Sequence, residues 1–107
     1  MATISKIKIL TLINVFTVEP QNQEELAQTL IDATEQTMKQ MPGFISASIH
    51  MSFDGHKVVN YAQWKSRADF EAMTKHPDTI PHMKTSAALG KFEPILCEVV
   101  DTISSDA

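Results

Sequence analysis

Residues 44–64 read FISASIHMSFDGHKVVNYAQW, and this stretch decides the fold. Two segments of alternating character, residues 44–53 and 56–64, flank Asp54-Gly55, a dipeptide that strongly favours a hairpin turn. Because successive side chains of a strand point to opposite faces, the first segment has one apolar face and one semi-polar face. The residues predicted on its apolar face are Ile45, Ala47, Ile49, Met51 and Phe53.

The residues before this hairpin predict a strand and then a long helix. Residues 9–18 are rich in Ile, Leu, Val, Thr and Phe, which is typical of a strand. Asn22 and Glu25 have the spacing of a helix N-cap and its capping-box partner. From residue 26 to residue 41 apolar side chains recur on one helical face, and Pro42-Gly43 then ends the helix.

The residues after the hairpin predict two short helical segments and a last strand. Ser66 and Asp69 resemble a second capping box, which opens a short helix that Pro77 breaks. Residues 79–89 predict one or two further helical turns, and residues 94–103 predict the final strand.

This order of elements predicts a single α+β domain over residues 1–107, with its core at about residues 7–103. The plan is ferredoxin-like, βαββαβ, with an antiparallel sheet and both helices on one face. The opposite face of the sheet then lacks a cover. A second subunit is the simplest way to provide one, so we predict a homodimer with two sheets packed face to face.

Composition excludes several classes of partner. Nine Lys and Arg against thirteen Asp and Glu make the chain mildly acidic, which argues against a nucleic-acid partner. Residues 7–16 are too short and too interrupted to span a bilayer and lack a cleavage signature, so we predict no membrane association and a cytoplasmic location. The single cysteine, Cys97, is interpreted as a small core residue. No Cys-x-x-Cys or His-x-x-x-His spacing occurs, and no metal site is predicted.

Polar or aromatic residues in apolar surroundings are the candidate functional residues. Asn60 and Trp64 share a face of their strand. The amide of Asn60 either bonds a neighbouring loop or water, or binds a carbonyl or oxyanion of a ligand. Asn14 is the one polar residue besides threonine inside the first strand.

Two histidines are candidates for proton transfer. A two-residue turn at Asp54-Gly55 places His50 on the face opposite to Asn60, whereas a three-residue loop with a bulge at Gly55 places the two together. The sequence leaves both arrangements open. His82 lies between apolar residues, either at the surface or as an acid, base or ligand in a pocket.

The segment 59–66, VNYAQWKS, resembles the antibiotic biosynthesis monooxygenase family. Residues 12–18, the Met41-Pro42-Gly43-Phe44 turn and the helix around Phe70 add to a resemblance that covers nearly the whole chain. It implies a dimeric ferredoxin-like α+β barrel. It also implies oxidation of aromatic polyketide phenols to quinones by dioxygen without metal, flavin or haem, so that no cofactor is predicted.

The resemblance also implies roles for individual residues. Asn60 and Trp64 match the asparagine and tryptophan of the family's cleft, where they hold and polarise the phenol. His50 falls where a family histidine is expected, and His50 or His82 is the implied proton-handling group. Catalytic roles are thus expected for Asn60, Trp64 and His50. Roles in binding a small aromatic substrate are expected for Asn14, Phe70, His82 and Lys84, with Phe70 at the place of a family tyrosine and Lys84 near that of an arginine.

Relatives of the same fold leave two alternatives. Asn14 resembles a first-strand asparagine of haem-degrading oxygenases, and His82 falls within a residue of their iron ligand, although Met73 replaces their tryptophan. The other alternative is a non-catalytic dimer that binds a small ligand. Our prediction is a cofactor-independent monooxygenase that oxidises a phenolic, quinol or polyketide-like small molecule with dioxygen.

Overall fold

The computed structural model describes residues 9–106, so residues 7 and 8 of the predicted core lie outside the described range. Its strands are β1 (Leu10–Thr17), β2 (Phe44–Met51), β3 (Lys57–Trp64) and β4 (Lys91–Glu98). Its helices are α1 (Gln23–Gln36), α2 (Arg67–Thr74) and α3 (Ile80–Leu89), with 3-10 turns at Pro20–Asn22 and Met38–Gln40. The four strands form one antiparallel sheet in the order β2-β3-β1-β4, which confirms the ferredoxin-like α+β prediction.

Both ends of α1 differ from the prediction. Asn22 lies in the helical region of backbone conformation and its side chain makes no capping bond, so the predicted capping box is wrong. A 3-10 turn that begins at Pro20 starts the helix instead, because the fixed φ of proline favours an early helical turn. At the other end Thr37 leaves the helical region with φ −132° and ψ −58°, and α1 therefore ends at Gln36.

The last strand is shifted towards the N-terminus relative to the prediction of residues 94–103. It begins at Lys91, and Pro94 lies inside it, paired with Asn14 of β1. A proline is tolerated there because β4 is an edge strand of the described sheet, where the missing N–H can face outwards. Residues 99–106 have no regular secondary structure.

The hairpin register settles which residues share a face. Ile49 pairs with Asn60 and His50 pairs with Val59, so His50 and Asn60 point to opposite faces. The register is the one that a two-residue turn gives, but the connection is longer than predicted: the strands end at Met51 and begin at Lys57, and the Gly55 N–H donates to the Ser52 carbonyl. A bulge lies between Phe44 and Ser46 and turns Phe44 towards the helices. The prediction that Ile45 belongs to the covered apolar face is therefore wrong, and Ile45 is 41% exposed.

The loop of the hairpin is stabilised by Asp54. Its carboxylate accepts hydrogen bonds from the His56 backbone N–H (3.0 Å) and the Ser52 hydroxyl (2.7 Å). These bonds favour the ionised form and lower the pKa of Asp54, with the backbone bond as the largest cause. Gly55 has a φ of +85°, which a glycine adopts without strain.

The core lies between the sheet and the helices and has two buried clusters. One contains Leu26 and Val58, which are fully buried, and the other is built around Trp64 and Met73. The opposite face of the sheet carries Tyr61 and Ile95, 41% and 45% exposed, and the half-buried Cys97, which is therefore not a core residue. Within residues 9–106 no helix is both long and apolar enough to cross a membrane.

Candidate active site

A cavity of about 230 Å³ lies between the sheet and the helices and is lined by members of both core clusters. The inward faces of β1 and β3 form its floor, and β4 adds Phe92 and Pro94. The helical side contributes α1, the 3-10 turn at Met38–Gln40, α2 and α3. Because most of its lining is apolar, the cavity suits a largely hydrophobic ligand with a few polar groups.

Asn14 and Asn60 form the polar centre of the floor. They are directly opposite each other in the β1–β3 register, so both side chains rise from adjacent strands into the same cavity. The side-chain carbonyl oxygen Oδ1 of each is buried and has no hydrogen-bond partner within the described chain. A buried polar group without a partner costs about 1–3 kcal/mol of stability. Two such groups side by side therefore require an explanation, and a role in binding a ligand is one.

Trp64 supplies the third such atom. Its side chain is 2% exposed, and its indole Nε1 is buried without an acceptor among the described residues. Across residues 9–106, the buried side-chain nitrogen and oxygen atoms that lack a partner are these three, and all belong to cavity residues. The residues that carry these two acceptors and one donor form the cavity wall, so a ligand that packs against them could satisfy the three atoms.

Aromatic neighbours hold the Trp64 ring in place. Phe44 packs against it edge-to-face, with ring centroids 5.3 Å apart and an interplanar angle of 86°. Phe70 of α2 makes a second edge contact at 6.3 Å and 68°. Such contacts contribute about 0.5–1.5 kcal/mol each beyond burial, and they fix the direction of the indole N–H.

His82 enters the cavity from α3. Its Nε2 lies 3.0 Å from the hydroxyl of Thr37, at the end of α1, and its backbone carbonyl accepts a hydrogen bond from Ser86 (3.1 Å). No described residue contacts the other ring nitrogen, Nδ1, through a hydrogen bond. Of the four histidines in the chain, His82 is the one that lines this cavity.

The hydroxyl groups of the cavity lining already donate hydrogen bonds within the protein. Thr34, Thr74 and Ser86 each donate to a carbonyl of their own helix, on Leu30, Glu71 and His82 respectively. Polar recognition in the cavity therefore rests on two amides, one indole and one imidazole. Within residues 9–106 no group of three His, Cys, Asp or Glu side chains is placed to hold a metal ion.

The structure brings together five of the seven residues that the sequence singled out. Asn14, Asn60, Trp64, Phe70 and His82 all line the cavity. His50 does not, because the hairpin register places it on the opposite face of the sheet, where it is exposed. Lys84 does not either, since it follows His82 by two residues and so lies roughly 200° further round the helix, in solvent.

Sequence reasoning missed several lining residues. Simple alternation along residues 44–53 predicts Phe44 on the semi-polar face, opposite to Ile45, and this is wrong because a bulge cannot be read from alternation alone. Met38 and Met83 also line the cavity. Met83 follows His82 directly in the sequence, so it could have been named as a candidate lining residue. Whether Met38 faces the cavity depends on where α1 ends, and the sequence did not predict that residue.

The comparison with known families agrees with this arrangement. Residues 9–87 match the family described as antibiotic biosynthesis monooxygenase. The chain belongs to the antibiotic biosynthesis monooxygenase family. The matched segment extends from β1 to α3, and all five of the singled-out residues that line the cavity fall inside it.

A curated relative within this family covers almost the whole chain. The tetracenomycin-F1 monooxygenase of Streptomyces glaucescens is 46% identical over 106 residues, which are 98% of this chain and 95% of the relative. The predicted resemblance to the antibiotic biosynthesis monooxygenase family is thereby confirmed.

Solved structures with the same fold include two Streptomyces oxygenases. A monooxygenase from the gene ActVA-Orf6 of Streptomyces coelicolor, in complex with nanaomycin D, superimposes with a TM-score of 0.81 at 23% identity and covers 94% of this chain and 95% of its own. SnoaB, a cofactor-independent oxygenase from Streptomyces nogalater, superimposes with a TM-score of 0.73 at 24% identity. The match covers 92% of this chain and 99% of SnoaB. At these identities the similarity establishes the fold.

Proposed function

We propose that this protein is a cofactor-independent monooxygenase that oxidises a phenolic or quinol-like aromatic molecule of the polyketide type with dioxygen. The observation that carries the proposal is the set of three buried, unpaired polar atoms in one aromatic-lined cavity. Membership of the antibiotic biosynthesis monooxygenase family and the 46% identity to a tetracenomycin-F1 monooxygenase support it.

The polar floor of the cavity fits a hydroxylated ring. Phenolic O–H groups can donate to Oδ1 of Asn14 and Asn60, whose acceptors are unpaired. The N–H of Trp64 can donate to a ring oxygen, and this bond strengthens as the phenol becomes a phenolate because bonds to charged acceptors are stronger. An aromatic substrate with two free O–H groups and a further ring oxygen would thus satisfy all three atoms and bring negative charge next to the indole donor.

The electrons for the reaction come from the substrate. Loss of the phenolic proton makes the ring electron-rich enough to transfer electrons to dioxygen. One oxygen atom then becomes the new carbonyl oxygen of a quinone, and the other leaves as water with the hydroxyl hydrogen and one ring-carbon hydrogen. The substrate is oxidised and dioxygen is reduced, so the reaction as proposed requires no cofactor.

We assign proton transfer to His82. Of the two histidines considered from the sequence, only His82 lines the cavity, and its Nδ1 has no hydrogen-bond partner within the described chain. A neutral imidazole nitrogen is a suitable acceptor near neutral pH. His50 is exposed on the opposite face of its own sheet and has no route to this cavity within one protomer.

Labelled dioxygen tests the proposed function directly. Purified protein is mixed with tetracenomycin F1, or with 1,8-dihydroxyanthrone as a simpler phenolic probe, under isotopically labelled dioxygen. We expect a quinone that carries one labelled oxygen atom, formed faster than in the protein-free reaction. A quinone formed at the protein-free rate for both probes and related phenols would contradict the proposal.

We further propose that the protein acts as a homodimer whose sheets pack through their uncovered faces. One row of this face runs across all four strands through Ser48, Tyr61, Ile13 and Ile95. Tyr61 and Ile95 are large exposed side chains, and covering them with a second sheet removes apolar surface from water. The predicted cytoplasmic location stays a prediction.

A charge in this row is expected to dissociate the dimer. Ile95→Lys places an ammonium group where a second sheet would bury it without a partner, so we expect a monomer at concentrations where the wild type is dimeric. Ile31→Lys is the matched control, because Ile31 is 39% exposed on α1, away from the sheet. Light scattering during gel filtration measures both masses. A dimeric Ile95→Lys variant would contradict this interface.

A further inference from the structure

We propose that Thr37 is a positioning residue that fixes the orientation and tautomer of the His82 imidazole. The inference rests on the proposed function, in which His82 accepts the phenolic proton. Thr37 does not line the cavity, and it reaches the site only through His82.

The hydroxyl of Thr37 behaves differently from those of the other two threonines near it. Thr29 and Thr34 lie within α1 and donate to the carbonyls of Glu25 and Leu30 four residues earlier, at 2.8 Å each. Thr37 follows the last residue of the helix, with non-helical φ and ψ, and its hydroxyl is directed to α3 instead. The early end of α1 therefore has a consequence for the site, since it releases this hydroxyl for the 3.0 Å contact with His82.

The direction of this contact decides which ring nitrogen serves the cavity. Neutral imidazole carries its proton on one nitrogen and a lone pair on the other. Because Nε2 faces Thr37, which lies outside the cavity lining, Nδ1 is the nitrogen left for a ligand. A hydroxyl can donate or accept, so the 3.0 Å contact is compatible with either tautomer. In the role of a base, His82 keeps its lone pair on Nδ1, and its Nε2–H then donates to the Thr37 oxygen.

The same bond suits both stages of proton transfer. Before transfer, Nε2–H donates to the Thr37 oxygen and Nδ1 is free to accept. After transfer both nitrogens carry protons, and the Thr37 oxygen still accepts from Nε2 without any rearrangement. Thr37 therefore orients the imidazole through a hydrogen bond, as a carboxylate or a backbone carbonyl does for other catalytic histidines. Its hydroxyl differs from a carboxylate in being neutral.

The tautomer can be measured without substrate by the nitrogen chemical shifts of His82 in labelled protein at a pH where the ring is neutral. We expect wild type to be protonated on Nε2, Thr37→Ser to match it, and Thr37→Val to give a mixture or the opposite tautomer. Valine keeps the branched shape while it removes the hydroxyl. Wild type protonated on Nδ1, or a Thr37→Val spectrum like that of wild type, would overturn the inference.

Steady-state kinetics with a phenol that the protein oxidises provides the second test of Thr37. We expect Thr37→Val to lower kcat about tenfold, a fraction of the 10²–10⁴-fold that general-base catalysis typically contributes, with KM changed much less. Thr37→Ser should restore most of kcat. Thr29→Val is the matched control, because it removes a helix-bonded hydroxyl elsewhere on α1. An unchanged kcat in Thr37→Val would overturn the role in proton transfer. If no phenol is oxidised at all, the proposed function fails and the tautomer measurement still decides the role of Thr37.

Discussion

Replacement of Asn60 by alanine is expected to lower kcat/KM for a phenolic probe by roughly ten- to a hundredfold, because the hydrogen bond that its Oδ1 accepts from the bound phenol is lost. The same substitution should leave the protein at least as stable as wild type. Oδ1 of Asn60 is buried without a partner, so the folded protein loses no protein–protein hydrogen bond there when the side-chain amide carbonyl is removed. Loss of activity without loss of stability distinguishes a binding group from a structural one.

The measurement combines kcat and KM with a denaturant unfolding curve for each variant. Asn22→Ala is the matched control, since Asn22 makes no side-chain capping bond and lies outside the cavity. We expect this control to keep both activity and stability. An Asn60→Ala variant that unfolds as easily as a core-deletion mutant, or that retains full kcat/KM, would contradict the role given to Asn60.

Trp64→Ala is expected to destabilise the protein by about 3–5 kcal/mol, as is usual for loss of a large buried aromatic side chain. Trp64 is 2% exposed and is the shared contact of Phe44 and Phe70, so its removal leaves both rings without support. A loss of this size is a large part of the total stability of a small domain. Trp64 therefore serves the core as well as the cavity.

Trp64→Phe separates these two roles. The smaller ring keeps most of the aromatic packing but has no N–H, so we expect a smaller loss of stability and a kcat lowered by at least about tenfold. Thermal unfolding and steady-state kinetics on the two variants measure the difference. If Trp64→Phe retains wild-type kcat, the indole N–H has no part in stabilising the phenolate.

Much of the fold could be predicted from the sequence, because its signals are local. The Asp54-Gly55 turn and the even spacing of Asn60 and Trp64 are sufficient to place both residues on one face of β3. The cap of α2 was equally readable, and Ser66 accepts a hydrogen bond from the backbone N–H of Asp69 as expected.

The remaining features depend on pairings that no local pattern encodes. The bulge before Ser46 belongs to the β2–β3 pairing, and it alone turns Phe44 inwards. Pro94 suggested the start of a strand, whereas its tolerance inside β4 depends on that strand lying at an edge.

The contact between Thr37 and His82 joins residues 45 positions apart in the chain. It depends on the end of α1, which the apolar periodicity had extended to residue 41. The site was therefore predictable in its strand residues and less so in its helical ones.

The proposed function requires a phenolic substrate to bind in this cavity through the three unpaired polar atoms. Trp64 is the only tryptophan of the chain, so its fluorescence reports on this site alone. The most direct test is an anaerobic titration of Trp64 fluorescence with 1,8-dihydroxyanthrone or tetracenomycin F1. We predict a saturable change in wild type that is at least about tenfold weaker in affinity when Asn60 is replaced by alanine, since a lost hydrogen bond to a charged or buried partner costs about 1.5–3 kcal/mol. A probe that the protein oxidises without any change in Trp64 fluorescence would place the reaction elsewhere and contradict the claim.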